Sequence, residues 1–213
     1  MQYIIMCGGT YGAWDTLRQL TEVKGEPIVA RTIRLLRQNG ITDIFISSNH
    51  AAFEQFGVPV LHHENGYHSD GYNKNTGYWC DCFYPTDLPT TYLFGDVVYS
   101  ANAIRTIIDT PTDDIAFFGS RPPFTPEYPK WYEEPFAFKV VNTNHLREAI
   151  AEVKRLDALG IFERQPIAWE LWNVICGGNP NHIRYDSYVA INDYTCDIDY
   201  PGEARLVSLR VRD

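Results

Sequence analysis

Two short segments of this 213-residue chain carry residue types suited to a phosphorylated ligand. The first is Cys7-Gly8-Gly9-Thr10-Tyr11-Gly12, directly after the apolar run Tyr3-Ile4-Ile5-Met6. Glycines that follow a strand let backbone N–H groups approach a phosphate or a base, because no Cβ stands in the way. By itself such a loop is often only a tight turn. It matches neither GxxxxGK[ST] nor GxGxxG, so the P-loop and dinucleotide readings lose support. The second segment is Gly95-Asp96, which places a carboxylate at the end of another apolar run, Thr91 to Phe94.

Other reactive side chains say less. Cys80-x-Cys82 near His62-His63 invites a zinc reading, but the spacing departs from C-x2–4-C. The better reading is two small semi-apolar residues on one face of a short element. The five cysteines, Cys7, Cys80, Cys82, Cys176 and Cys196, are an odd number in a chain with no export signal, which argues for free thiols. His50, His68, His145 and His182 are scattered, and no HExxH, GxSxG or Cys–His arrangement is present.

The elements that must position these segments follow from hydrophobic periodicity. Tyr3–Met6, Asp43–Ser47, Val58–Leu61, Thr91–Phe94, Ile115–Phe118, Phe136–Val141 and Tyr188–Ile191 read as strands. Pro27–Asn39 reads as a helix with Val29, Ile33 and Leu36 on one face and Gly40 as its stop. Ala101–Ile108, His145–Leu159 and Ile167–Ile175 are helical in pattern. Residues 121–134, rich in proline and aromatics, read as a loop that either seals its own small core or covers a substrate. Alternating strands and helices imply a three-layer α/β/α domain with a mostly parallel central sheet, spanning residues 1–213 as one unit. In such sheets ligands sit at the carboxyl ends of the strands, where both Gly8-Gly9 and Gly95-Asp96 fall.

Bulk properties narrow the partners. A formal net charge of -9 without a basic block disfavours gripping a nucleic-acid backbone. No run approaches the about 20 apolar residues of a membrane span, and the N-terminus lacks a basic leader, so the expected location is cytoplasmic. The 14% aromatic content points to a core, an interface or a stacked acceptor.

Beyond these physical signals, several segments resemble the MobA-like and sugar-nucleotidyltransferase superfamily in the same order along the chain. After the glycine loop, Leu17 to Ile28 with Arg18 and Pro27, then Arg31 to Leu36 and Gly40-Ile41, is similar to the family's loop, helix and Gly-Ile ending. Tyr92 to Tyr99 resembles its strand ending in Gly-Asp, and Asp197 to Glu203 its acidic C-terminal motif. Asn73 to Trp79 and Trp169-Glu170-Leu171 look, more loosely, like segments of phosphocholine and sugar-1-phosphate cytidylyltransferases.

The resemblance implies a nucleotide-diphospho-sugar transferase fold, a Rossmann-type arrangement like that of GT-A enzymes. It implies transfer of a nucleoside monophosphate from CTP or UTP to a phosphorylated sugar or alcohol, with release of pyrophosphate. Mg²⁺ would be held by Asp96 and Asp199, with Asp197 in support, and Arg18 would stand on the phosphates. Cys7, Gly8, Gly9, Thr10 and Gly12 would bind the nucleotide. Asn75, Tyr78, Trp169 and Glu170 would face the acceptor. The family's arginine after the glycine loop is missing, since Ala13 and Trp14 stand there; Arg121 or Lys130 could substitute. A glycosyltransferase using a nucleotide sugar and a nucleotide-binding protein without turnover remain alternatives.

Overall fold

The computed structural model describes residues 1–12, 14, 16–69 and 75–212; the side chains of Thr10, Tyr11 and Asn75 lie outside the description. At its centre is a seven-stranded sheet. Its strands are β1 (Gln2–Met6), β2 (Ile44–Ser48), β3 (Val60–His62), β4 (Thr90–Phe94), β5 (Ile115–Gly119), β6 (Pro135–Val140) and β7 (Val189–Ala190). The spatial order is β7-β5-β6-β4-β1-β2-β3. Pairings β1–β2, β1–β4, β2–β3 and β5–β7 are parallel. Only β6 runs antiparallel, to both β4 and β5. All five residues of β1 and of β4 are buried, as expected of central strands covered on both faces.

The helices are α1 (Ile28–Gln38), α2 (Ala101–Asp109), α3 (Thr143–Ala158), α4 (Ala168–Ile175) and α5 (Pro201–Arg210). α1 touches α2, and α3 touches α4. Their ends obey local chemistry. Gly40, at φ 78°, closes α1: Gly40 N–H donates to Arg37 O and Ile41 N–H to Leu36 O, the paired bonds of a Schellman stop. Ser100 Oγ accepts from Ala103 N–H at the start of α2 (2.8 Å), and Asn142 Oδ1 from His145 N–H at the start of α3 (3.1 Å).

Most of the aromatic excess lies in the core. Phe117 meets Phe138 at 4.5 Å between ring centroids and Trp169 edge-on at 5.1 Å, and Phe83 meets Tyr92 at 4.9 Å. Such offset and edge contacts suit the ring quadrupole. Among the described residues no helix is long and apolar enough to cross a membrane.

Two expectations need adjustment. The sheet is mostly parallel as read, but the β5–β6 hairpin inserts an antiparallel strand between β4 and β5. A fifth helix follows Asp199, where the sequence shows no single apolar face: Val207 is buried while Leu206 and Leu209 are exposed.

Candidate functional site

The sheet register brings the two glycine segments together. Met6 of β1 lies beside Phe94 of β4, so Cys7 and Gly95 leave the sheet at the same edge. Gly95 N–H donates to Met6 O at 3.0 Å, and a Cβ at Gly95 would stand 2.5 Å from that oxygen. Only glycine fits such an approach. Gly9, at φ 79°, turns the first loop away from the strand.

A short ribbon then sets the acidic residues. Val97–Val98 pairs antiparallel with Cys196–Asp197, placing Val97 opposite Asp197. Ile198 N–H donates to Asp96 O at 3.0 Å, so Asp96 and Asp197 become neighbours although 101 positions apart in the sequence. Asp199 is fixed from two sides. Its carbonyl accepts from Trp14 Nε1 (2.7 Å), and its N–H donates to Glu203 Oε2 (2.7 Å) in the first turn of α5.

The result is a nest of five carboxylates around two cations. Arg18 pairs with Asp96 and, at 3.4 Å, with Asp199. Lys130 Nζ pairs with Glu134 and Asp197, with Asp199 at 3.2 Å and with Glu203 at 3.7 Å. Oxygens of Glu134, Asp197 and Asp199 all lie within 4.8 Å of one another.

The protonation equilibria report the crowding. Burial pushes the Asp96 carboxyl up, with the Asp197 charge adding to the rise and Arg18 opposing it. Burial and the Asp197 charge raise Asp199 to about 6. Burial and Asp197 likewise raise Glu134 well above the usual range. Burial works the same way on Asp197, but Lys130, a hydrogen bond with Glu134 and the Arg18 charge together outweigh it and hold that carboxyl below its usual value. Burial disfavours the Lys130 ammonium, yet Asp197, Glu134 and Asp199 together keep it firmly charged.

Five carboxylates against two cations leave an excess of negative charge. Grouped hard oxygens with spare charge suit a divalent cation of the Mg²⁺ type. The donor set therefore fits such an ion.

The nest opens on a cleft of about 810 Å³. Its lining includes Gly8, Gly9, Trp14, Arg18, Asp96, Asp197 and Asp199, together with Arg164, Trp169, Glu170 and Asn173. The sequence reading thus converges on one place for Gly8, Gly9, Arg18, Asp96, Asp197, Asp199, Trp169 and Glu170. It does not for three others. The Cys7 side chain is fully buried, and its thiol is pushed up by burial. Gly12 is exposed, and its N–H donates to Ser69 O (2.7 Å). Tyr78 is absent from the lining and sits under Lys154 Nζ at 5.3 Å.

The side chains of Thr10 and Asn75, expected at the nucleotide and the acceptor, and residues Ala13, Asn73 and Lys74 lie outside the described residues. Cys80 and Cys82 are buried free thiols, and among the described residues no metal-holding group includes them. His63 Nε2 instead lies 2.7 Å from Asp81 O.

Glu134 escaped the sequence reading, and Glu203 entered it only as the end of the acidic C-terminal motif, without a role of its own. Glu134 ends the proline-rich loop, where nothing in its neighbours marks a ligand. The role of Glu203 could have been found: the residue stands at the third position of a helix opened by Pro201, a spacing that caps a helix start.

No protein-family model and no curated protein matches the chain. Solved structures do. A protein described as a glucose-1-phosphate thymidylyltransferase from Bacillus anthracis, in complex with a sucrose, aligns over 100% of this chain and 95% of its own, at 15% identity and a TM-score of 0.60. A CMP:2-keto-3-deoxy-manno-octonic acid synthetase complexed with CTP aligns over 98% and 96%, at 12% identity and 0.53. An inositol-1-phosphate CTP transferase from T. maritima aligns over 98% and 98%, at 12% and 0.51. At these identities the likeness is one of fold: the chain has the α/β fold of the sugar nucleotidyltransferases.

Proposed function

We propose that this chain is a Mg²⁺-dependent nucleotidyltransferase that moves a nucleoside monophosphate from a triphosphate, CTP or UTP, to a phosphorylated sugar or alcohol. The observation that carries this reading is the convergence of the Gly8-Gly9 loop and the Asp96, Asp197 and Asp199 carboxylates on one cleft. The fold shared with nucleotidyltransferases supports it.

Each group then has a task. Backbone N–H groups at Gly8 and Gly9 receive the nucleotide without Cβ interference. Arg18 neutralises phosphate charge from its place beside Asp96. Asp96, Asp197 and Asp199 would hold Mg²⁺, which would supply charge neutralisation for the phosphates. Glu170 caps α4 by accepting from Ile167 N–H (2.9 Å) and pairs with Arg164 (2.6 Å), presenting that guanidinium to the acceptor's phosphate. An acceptor phosphate oxygen attacks the α-phosphorus, and the bond to pyrophosphate breaks. The protein's contribution is positioning and electrostatics.

The test is a thermal-shift panel of the four nucleoside triphosphates with and without Mg²⁺. A ligand that binds only the native state raises the melting temperature by mass action. The expected result is a Mg²⁺-dependent rise with CTP or UTP that Asp96→Ala abolishes. A rise with nucleotide sugars alone would replace this reading with glycosyl transfer, and no rise with any nucleotide would remove it.

A further inference from the structure

Lys130 stands against the acidic lining of the cleft, paired with Glu134, Asp197 and Asp199, and the reaction above leaves it unused. Its side chain is only 7% exposed, and its ammonium reaches four carboxylates of the nest. Glu134, 2% exposed, points one oxygen into that nest, where its partner is the Lys130 ammonium.

A divalent cation bound there needs these same oxygens. Two cations 3–4 Å apart repel strongly in a partly dry site, so the ammonium and the metal exclude each other.

The loop bearing Lys130 is tied on both sides of it. Ser120 Oγ donates to Tyr128 Oη (2.7 Å), and Glu134 N–H donates to Ser120 Oγ (2.9 Å). Between these ties Trp131 is 85% exposed, so the stretch next to Lys130 lies on the surface.

The glycine loop, meanwhile, carries no lysine or arginine between residues 7 and 12. Arg18 and Arg164 both line the cleft in ion pairs. Among the described residues that line the cleft, an incoming triphosphate therefore meets only arginines that are already ion-paired.

We propose that Lys130 is an exchangeable cation: it fills the nest in the ligand-free protein, yields it to a divalent metal, and then serves the phosphates of the bound nucleotide. This rests on reading the nest as the metal centre.

The experiment measures Mn²⁺ binding by the loss of free-ion paramagnetic resonance signal. It then measures tripolyphosphate binding by calorimetry at saturating Mn²⁺, a probe independent of the base. Lys130→Met and Lys130→Gln should each bind Mn²⁺ about tenfold tighter and tripolyphosphate about tenfold weaker than the wild type. A lysine that merely braces the loop would, when removed, weaken both.

Mn²⁺ binding that is no tighter in either variant, or tripolyphosphate binding that is unchanged, overturns the exchange. Asp199→Asn separates the two levels. If it lowers Mn²⁺ affinity while the Lys130 variants leave it unchanged, only the exchange falls. If wild type and Asp199→Asn bind Mn²⁺ alike, the metal centre falls with it.

Discussion

Gly95 is where a single missing methyl group decides the site. Its Cβ position faces the Met6 carbonyl and the Cys7 sulfur, both fixed in the core. Gly95→Ala should therefore cost about 1–3 kcal/mol of stability, as overpacking does, read as a lower urea midpoint with unchanged slope. It should also push Asp96 out of line with Asp197, so the Mg²⁺-dependent nucleotide shift should shrink in the same variant. At this scale the sequence was partly legible. Gly8-Gly9, Gly95 and Asp96 could be singled out because residue type and strand-end position coincide. Lys130 could be named only as a possible cation. Glu134 stands four positions on in the same loop, but Asp197, Asp199 and Glu203 come from the ribbon and the start of α5, and no local pattern carries those pairings. Tyr78 misled because an aromatic near a predicted site looks like a ligand contact, whereas here it packs under Lys154.

At the scale of elements, α5 does two jobs through one carboxylate. Glu203 accepts from the N–H groups of Asp199 and Tyr200, capping the helix and fixing the backbone at a proposed metal ligand. Glu203→Ala should lose about 1 kcal/mol of stability, the usual worth of a cap. Glu203→Gln, able to accept the same bonds, should retain most of it, and thermal denaturation of the two variants checks this. The main strands were readable as short apolar runs bounded by turn residues, and the first four helices because their apolar residues recur at about 3.6 positions. α5 was not, since tertiary contact buries Val207 and leaves Leu209 exposed. The antiparallel β6 was equally hidden: a fully buried strand gives the same apolar run in either direction.

For the molecule as a whole, pH also acts through two buried thiols. Burial raises Cys80 and Cys82 to about 12, from an ordinary value near 9. Groups raised on folding stabilise fully below the unfolded value and lose that contribution as pH climbs through the folded one. Between pH 9 and 12 the unfolded chain has released these protons while the native chain keeps them. Stability should therefore fall across that window, by about 1.4 kcal/mol per pH unit for each such thiol. Melting temperatures at pH 8 and pH 10.5 test the direction, and Cys82→Ala should make the fall shallower. Composition had indicated free thiols, and all five are unpaired; how deeply they are buried depends on the packing.

The exposed indole of Trp131 has an optical consequence. Trp169 and Trp172 are buried, so their emission should be shielded from a dissolved quencher, while Trp131 meets it freely one residue from Lys130. The protein thus carries its own fluorophore on the loop that bears Lys130, and no dye need be attached to watch that loop.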